Sequence, residues 1–198
     1  MSEPLPEVYL ARHGETAWTI SHQHTGRTDI PLTERGERNA ISLGHRLHGL
    51  HIDTVLVSPM QRARRTCELA GFGPQAQVEP ELMEWDYGQY EGRTSSEIRQ
   101  ERPDWFLFRD GCPGGESVAA VGGRADLVIA RLRALEGRTI LFGHSHFFRV
   151  IAARWLALHP SEGRRLLLST ASLSMLGYEH SREESVIGLW NDDRHVLP

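Results

Sequence analysis

Val8-Tyr9-Leu10-Ala11-Arg12-His13-Gly14-Glu15-Thr16 is an apolar run that breaks off directly into an arginine, a histidine and a glycine. The run has the length of a buried strand, and Gly14 supplies the tight turn that lets backbone come close to a ligand. Arg12 and His13 then stand at the carboxyl end of a strand, where α/β proteins keep their ligands. A single Arg-His-Gly tripeptide arises often by chance, and a lone histidine is usually structural. The same pattern recurs downstream, which answers that objection. Ser58-Pro59-Met60-Gln61-Arg62-Ala63-Arg64-Arg65-Thr66 follows the apolar run Thr54 to Val57, and Gly143-His144-Ser145-His146 follows Thr139 to Phe142. Three strand-like runs therefore each end in groups that bind anions or move protons.

The segments between these runs read as helices, in a strand, helix, strand order of roughly 30 residues per unit, which is the βαβ signature. Thr33 caps a helix that carries Ala40, Ile41, Leu43, Leu47 and Leu50 at helical spacing. Ser58-Pro59 reads as a helix start, a side-chain cap followed by a proline whose missing N–H is no loss there. Arg62 then falls in the first turn, sharing a face with Arg65 and Thr66. Ser117 caps a helix running to about Leu135, with Val121, Ala125, Val128 and Leu132 in its apolar stripe. Arg138 to Phe142 is a buried strand and Ser145 to Leu158 the helix after it, so His144 occupies a strand-to-helix turn.

The remaining segments are less periodic. Trp18 to Leu32 reads as a long loop whose Gln23, His24, Thr25 and Arg27 form a mouth over His13. Glu79 to Met83 reads as a short edge strand, and Glu84 to Arg93 as a second loop. Short helices are expected over Ser95 to Arg99 and Pro103 to Phe108, with Trp105, Phe106 and Phe108 as core or as a lid. Ser172 to Tyr178 and Ser185 to Trp190 form a hairpin-like end. The expected architecture is α/β, in one domain covering residues 1–198.

The 198 residues carry 24% charged and 39% hydrophobic side chains, ordinary globular values. No apolar window reaches the ~18 residues of a membrane span, and Met1 to Pro6 has no basic-then-apolar leader pattern. A soluble, cytoplasmic protein without a membrane partner is expected. A net charge of −4 argues against a nucleic-acid partner, since binding a phosphate backbone wants a basic face. Cys67 and Cys112 are too few for a disulfide framework and wrongly spaced for a zinc pair. Cys112 is expected to be exposed in a glycine-rich loop. His13, His22, His24, His144 and His146 invite a metal, but none shows i, i+4 helical spacing with a glutamate between.

Taken together these motifs resemble the histidine phosphatase superfamily, the phosphoglycerate mutase-like proteins, over nearly the whole chain. The resemblance rests on Arg12-His13-Gly14-Glu15-Thr16, on Thr25-Gly26 with Asp29 to Thr33, and on Ser58-Pro59 with Arg62-Ala63 and Thr66. Glu84 with Tyr87-Gly88 and Glu91-Gly92, Gly115-Glu116-Ser117, and Gly143-His144 complete it. Within the superfamily, Glu84 to Gly92 and Arg109 to Cys112 look most like the sedoheptulose-1,7-bisphosphatase branch. The resemblance implies a three-layer α/β/α fold with a mostly parallel central sheet, chemistry without a metal or other cofactor, Thr25-Gly26 against the phosphate, and Glu84 as proton donor. The chain departs from the mutases in having Thr19 where they have asparagine, and in lacking their long insertion with paired arginines between residues 89 and 114. That shortening opens the pocket and favours water as phosphoryl acceptor.

A phosphomonoester must be bound as a dianion, attacked at phosphorus and relieved of a poor alkoxide leaving group. Arg12 and Arg62 can clamp the equatorial oxygens. His13, kept neutral by cationic neighbours, can attack phosphorus, and His144 can hold the phosphoryl oxygens. Thr16, Thr19, Tyr87, Ser145 and His146 are candidates for the rest of the substrate. The expected function is hydrolysis of small phosphorylated metabolites, sugar phosphates or bisphosphates, through a phosphohistidine. A cofactor-dependent phosphoglycerate mutase and a phosphoprotein-directed or scaffold protein are the alternatives. The sequence leaves the individual substrate and the oligomeric state open, a homo-oligomer included.

Overall fold

The computed structural model describes residues 4–196. The chain begins with β1 (Glu7–Arg12), α1 (Ala17–Ile20), α2 (Glu34–Leu47), β2 (Thr54–Val57), α3 (Gln61–Leu69) and β3 (Ala76–Val78). It continues with α4 (Ser95–Glu101), α5 (Leu107–Asp110), α6 (Val118–Arg133), β4 (Arg138–Gly143) and α7 (Ser145–Trp155), and ends in the hairpin β5 (Leu173–Tyr178) and β6 (Ser185–Asp192). The strands form one sheet in the order β3-β2-β4-β1-β5-β6. β3, β2, β4 and β1 run parallel, and β5 and β6 add an antiparallel edge.

Both sheet faces are covered, and the alternation along each strand shows why. In β1, Val8 and Leu10 join one apolar cluster and Ala11 the other; in β4, Leu141 faces the first while Ile140 and Phe142 face the second. The first cluster is completed by α6 and α7 through Val121, Ala125, Phe147 and Ile151, the second by α2 and α3 through Leu43, Leu47, Ala63 and Cys67. This is the three-layer α/β/α arrangement, with crossover helices shielding strands that are apolar on both sides. Among the described residues, no helix is long and apolar enough to cross a membrane.

Several local expectations are corrected. α3 begins at Gln61 with Met60 as its cap residue, so Ser58-Pro59 precedes the helix instead of starting it. On α3, Arg62 and Thr66 are buried, but Arg65 is exposed and paired with Glu37 at 2.7 Å. The segment 18–32 is not all loop, because Thr16 and Thr19 cap each other reciprocally and hold the single turn α1, which is too short to show periodicity. The edge strand is Ala76–Val78, not residues 79–83, because Pro80 has no N–H for a ladder and starts a 3-10 turn, Pro80–Leu82. The second short helix lies at Leu107–Asp110, with the Asp110 carboxylate taking the Phe106 N–H at 2.7 Å. Cys112 is buried, and burial pushes its thiol up to about 12.

Candidate active site

The three motifs meet because β2, β4 and β1 are adjacent and parallel, so their carboxyl ends open at one edge of the sheet. The ladder continues one residue past each end: the His13 N–H donates to Gly143 O and the Ser58 N–H to Phe142 O, both at 2.9 Å. His13 and His144 thereby lie with ring centroids 5.2 Å apart. Gly14 is required by its neighbour, since a Cβ there would stand 2.4 Å from the Gly36 carbonyl oxygen at the start of α2.

His13 is buried, and its Nδ1 lies 2.7 Å from the Gly14 carbonyl oxygen. A carbonyl only accepts, so Nδ1 carries the proton and Nε2 keeps the lone pair. Burial first, then the charges of Arg62 and Arg12, hold the imidazole well below the usual histidine range. The same burial, with Arg62, His13 and Arg12, depresses His144. Both rings are neutral at pH 7.

Around His13 stand polar atoms that are buried and lack a partner: Arg12 Nε, Arg62 Nε and His144 Nδ1. The rest of each side chain is held firmly. Arg62 donates from Nη1 to Thr28 O (3.0 Å) and from Nη2 to Thr25 O (3.1 Å) and Gly26 O (2.9 Å). Arg12 Nη1 donates to Leu168 O at 2.5 Å. His144 Nε2 faces Ser58 Oγ at 2.8 Å. That hydroxyl also takes the Met60 N–H at 3.4 Å, so its own proton is free to go to Nε2, which leaves Nδ1 as the N–H donor. Unpaired buried polar atoms call for an explanation, and these three belong to the residues that neighbour His13.

Glu84 approaches from the loop after the 3-10 turn. Its Oε1 accepts the N–H groups of Trp85 (2.9 Å) and Phe147 (2.8 Å), and its Oε2 that of His146 (3.0 Å). It therefore caps α7, whose own cap residue, His144, makes no side-chain cap bond. Two donors occupy Oε1; Oε2 has one and retains room for a proton. Tyr87 and His146 are joined, phenol oxygen to Nδ1, at 2.6 Å.

A cleft of about 270 Å³ opens here, lined by Arg12, His13 and Glu84. Of the residues expected to hold the rest of the substrate, Thr19, Thr25, Tyr87, Ser145 and His146 also line it. Arg62 and His144 do not; they are wholly buried. Gly26 is not on the wall either. Its N–H is taken by the Glu91 carboxylate at 2.9 Å and its carbonyl by Arg62, so it braces the arginine. The Thr19 hydroxyl is occupied by the Thr16 backbone, at 2.9 Å to the N–H and 2.8 Å to the carbonyl. Arg27 turns away to Asp86 at 3.2 Å. Trp18 and Ser95 line the cleft without having been singled out, and nothing in their spacing marks them; His22, named in the sequence only among the histidines that invite a metal, lines it too. Glu91 stood only within a motif; it accepts N–H groups from Gly26 and Thr28, whose carbonyls in turn accept from Arg62.

Residues 8–193 match the family model described as the histidine phosphatase superfamily (branch 1). The chain is 44% identical over 187 residues to an acid phosphatase of Mycobacterium tuberculosis, covering 92% of each chain. It is 35% identical to the sedoheptulose 1,7-bisphosphatase of Saccharomyces cerevisiae, over 77% of this chain and 68% of that protein. The solved structure of the open reading frame Rv3214 from Mycobacterium tuberculosis superposes with a TM-score of 0.88 at 39% identity, covering 93% of this chain and 96% of that one.

Proposed function

The chain belongs to the histidine phosphatase superfamily, and we propose that it is a metal-independent phosphatase of small phosphomonoesters, sugar phosphates or bisphosphates, working through a phosphohistidine on His13. One observation carries this reading: a neutral histidine with its lone pair on Nε2 feels the charges of Arg62 and Arg12 and lies 5.2 Å, ring centroid to ring centroid, from His144, and these three neighbours each keep a buried polar atom without a partner, Arg12 Nε, Arg62 Nε and His144 Nδ1. Such donors, aimed where charge resides on a phosphoryl group, stabilise the transition state without having to reorganise.

In the first step the Nε2 lone pair forms the N–P bond as the P–O bond to the leaving group breaks. The proton on Glu84 Oε2 passes to the departing alkoxide, the only remaining site on that carboxylate from which a proton can leave. In the second step water attacks phosphorus, its proton returns to Glu84, the N–P bond breaks and phosphate departs. Arg12 and Arg62 hold the equatorial oxygens in both steps, and His144 donates from Nδ1.

The test is to trap the intermediate. Rapid quenching with a ³²P-labelled aryl phosphate should give an acid-labile, base-stable phosphoenzyme, and His13→Ala should abolish both the label and turnover. Residual turnover within about tenfold of wild type in that variant would remove His13 from the mechanism, because losing a nucleophile that forms a covalent intermediate leaves no parallel route of similar rate.

A further inference from the structure

The substrate's body beyond its phosphoryl group is addressed by the outer walls of the cleft, and the inference drawn from them rests on the phosphatase reading above. The chain has no lysine, and among the described residues Arg12 is the one arginine on the cleft wall. Arg62 lies buried, with Nη1 and Nη2 held by loop carbonyls. Two other arginines act on the histidines of the wall but are turned elsewhere. Arg99 donates from Nε to Trp105 O at 3.1 Å. Arg149 lies over the Phe108 ring and donates to the carbonyls of Gly163 and Arg164.

The buried rings that the outer wall presents are uncharged. Burial takes His24 down to about 4 and holds His146 well below the histidine range, so both are neutral at pH 7. His24 lies against Tyr87 with ring centroids 4.7 Å apart and the planes tilted by 31°, while its Nε2 meets Ser95 Oγ at 3.3 Å. Trp18 adds an indole to the same wall. These are ring faces for C–H surfaces and hydroxyl, imidazole and phenol groups for hydroxyls. The remaining ionisable acid on the wall is Glu84, which offers a second anion no cation to meet. At 270 Å³ the cleft falls below the ~300–1,000 Å³ of pockets for drug-sized ligands.

We propose that this cleft narrows the phosphatase reading to its monophosphate half: it selects phosphomonoesters whose body is uncharged and hydroxylated, a sugar or polyol monophosphate, and discriminates against the bisphosphates that reading also admits and against phosphorylated acids. A second phosphate or a carboxylate would leave water without meeting a cation, and unpaired charge set against the wrong ligand is an effective means of rejection.

The experiment compares kcat/KM for phosphate release by the full chain, without added metal, on glucose 6-phosphate, fructose 6-phosphate, fructose 1,6-bisphosphate and 3-phosphoglycerate, with p-nitrophenyl phosphate as reference. The monophosphates should exceed both anionic-bodied substrates by about tenfold or more. Ser95→Arg, which adds a cation to the outer wall, should raise the bisphosphate-to-monophosphate ratio at least about threefold, with circular dichroism checking the fold. A bisphosphate or phosphoglycerate turned over as well as the monophosphates overturns the inference, as does an unchanged ratio in a folded Ser95→Arg. Absence of turnover on every substrate, the aryl phosphate included, overturns instead the phosphatase reading beneath it.

Discussion

Removing one hydroxyl should cripple the second histidine without touching the first. Ser58 is wholly buried and its Oγ stands 2.8 Å from His144 Nε2, while the Met60 N–H donates to the same oxygen at 3.4 Å. With that N–H accepted, the hydroxyl proton is assigned to Nε2 and the ring proton to Nδ1, the nitrogen without a partner. In Ser58→Ala the buried Nε2 either stays unpaired or takes the proton from Nδ1. An unpaired buried acceptor costs roughly 1–3 kcal/mol, which at about 2–4 °C per kcal/mol for a chain of this size lowers Tm by roughly 2–12 °C. Moving the proton removes one donor from the transferring phosphoryl group, a loss worth up to about 10²–10³ in rate. Because the tautomers can mix, a fall of about 10–100-fold in the single-turnover rate of phosphoenzyme formation is expected, with KM changed much less. Ser58→Cys, which keeps a weak S–H donor, should recover part of the rate. A full rate of phosphoenzyme formation in Ser58→Ala, with only Tm lowered, would show that the serine merely packs and that the tautomer argument is wrong.

Glu84→Gln should lose about 10²-fold or more in phosphoenzyme formation from a sugar phosphate but much less from an aryl phosphate, whose leaving group hardly needs a proton; equal losses would make another group the acid. Glu91→Ala leaves the Gly26 and Thr28 N–H groups unpaired and loosens the carbonyls that hold Arg62, so kcat and kcat/KM should fall together with a stability loss of about 2–3 kcal/mol by urea unfolding; unchanged kinetics would detach Arg62 from this loop. His13 must be neutral to attack and its pKa is lowered, so kcat/KM, corrected for the substrate's own ionisation, should show no acid limb at about 6.5; a break there would mean that the ring titrates normally. Stability has the matching sign. His24 (about 4), His13, His144 and His146 have folded pKa values below the unfolded value, so the unfolded chain takes protons first and stability present above pH 6.5 is lost as pH falls toward 4, at up to about 1.4 kcal/mol per pH unit for each; a urea midpoint flat across that window contradicts it.

The central strands β1, β2 and β4 were legible because they are apolar and run straight into the residues of the site, whereas the short exposed β3 was misplaced at residues 79–83. Periodicity and punctuation both survive in one dimension, and so did the meeting of Arg12, His13, Arg62 and His144. Ser58 was misread for an instructive reason. A serine before proline has the same signature whether its hydroxyl caps a helix or turns to a histidine 86 residues away, and only the adjacency of β2 and β4 decides. Glu84 was reached through resemblance alone, since nothing near it in sequence reveals that it caps α7 across 62 and 63 residues. Thr19 lines the cleft as expected, yet its hydroxyl is consumed by its own single-turn helix, a competition that backbone groups three residues away always offer a threonine. The burial of Cys112 was hidden because glycine and proline signal a turn but not which side of it faces the core.

On the proposed mechanism, the cationic cluster explains why His13 is so deeply buried. In water a histidine beside two arginines would be screened, and a phosphate would gain little by displacing solvent from them. Burial changes both terms in the same direction. It removes the proton from His13, because a third positive charge beside Arg12 and Arg62 would have no solvent, and it leaves Arg12 Nε, Arg62 Nε and His144 Nδ1 without protein partners. Even Arg12 is pushed down to about 10 by burial against the pull of Glu84. On the proposed mechanism, a phosphoryl dianion would supply what these three atoms lack while drawing its own charge toward a nitrogen that carries no proton to repel attack. On that mechanism the same groups would tighten on the phosphoryl oxygens as the P–O bond breaks, and a difference between ground and transition state is what raises rate.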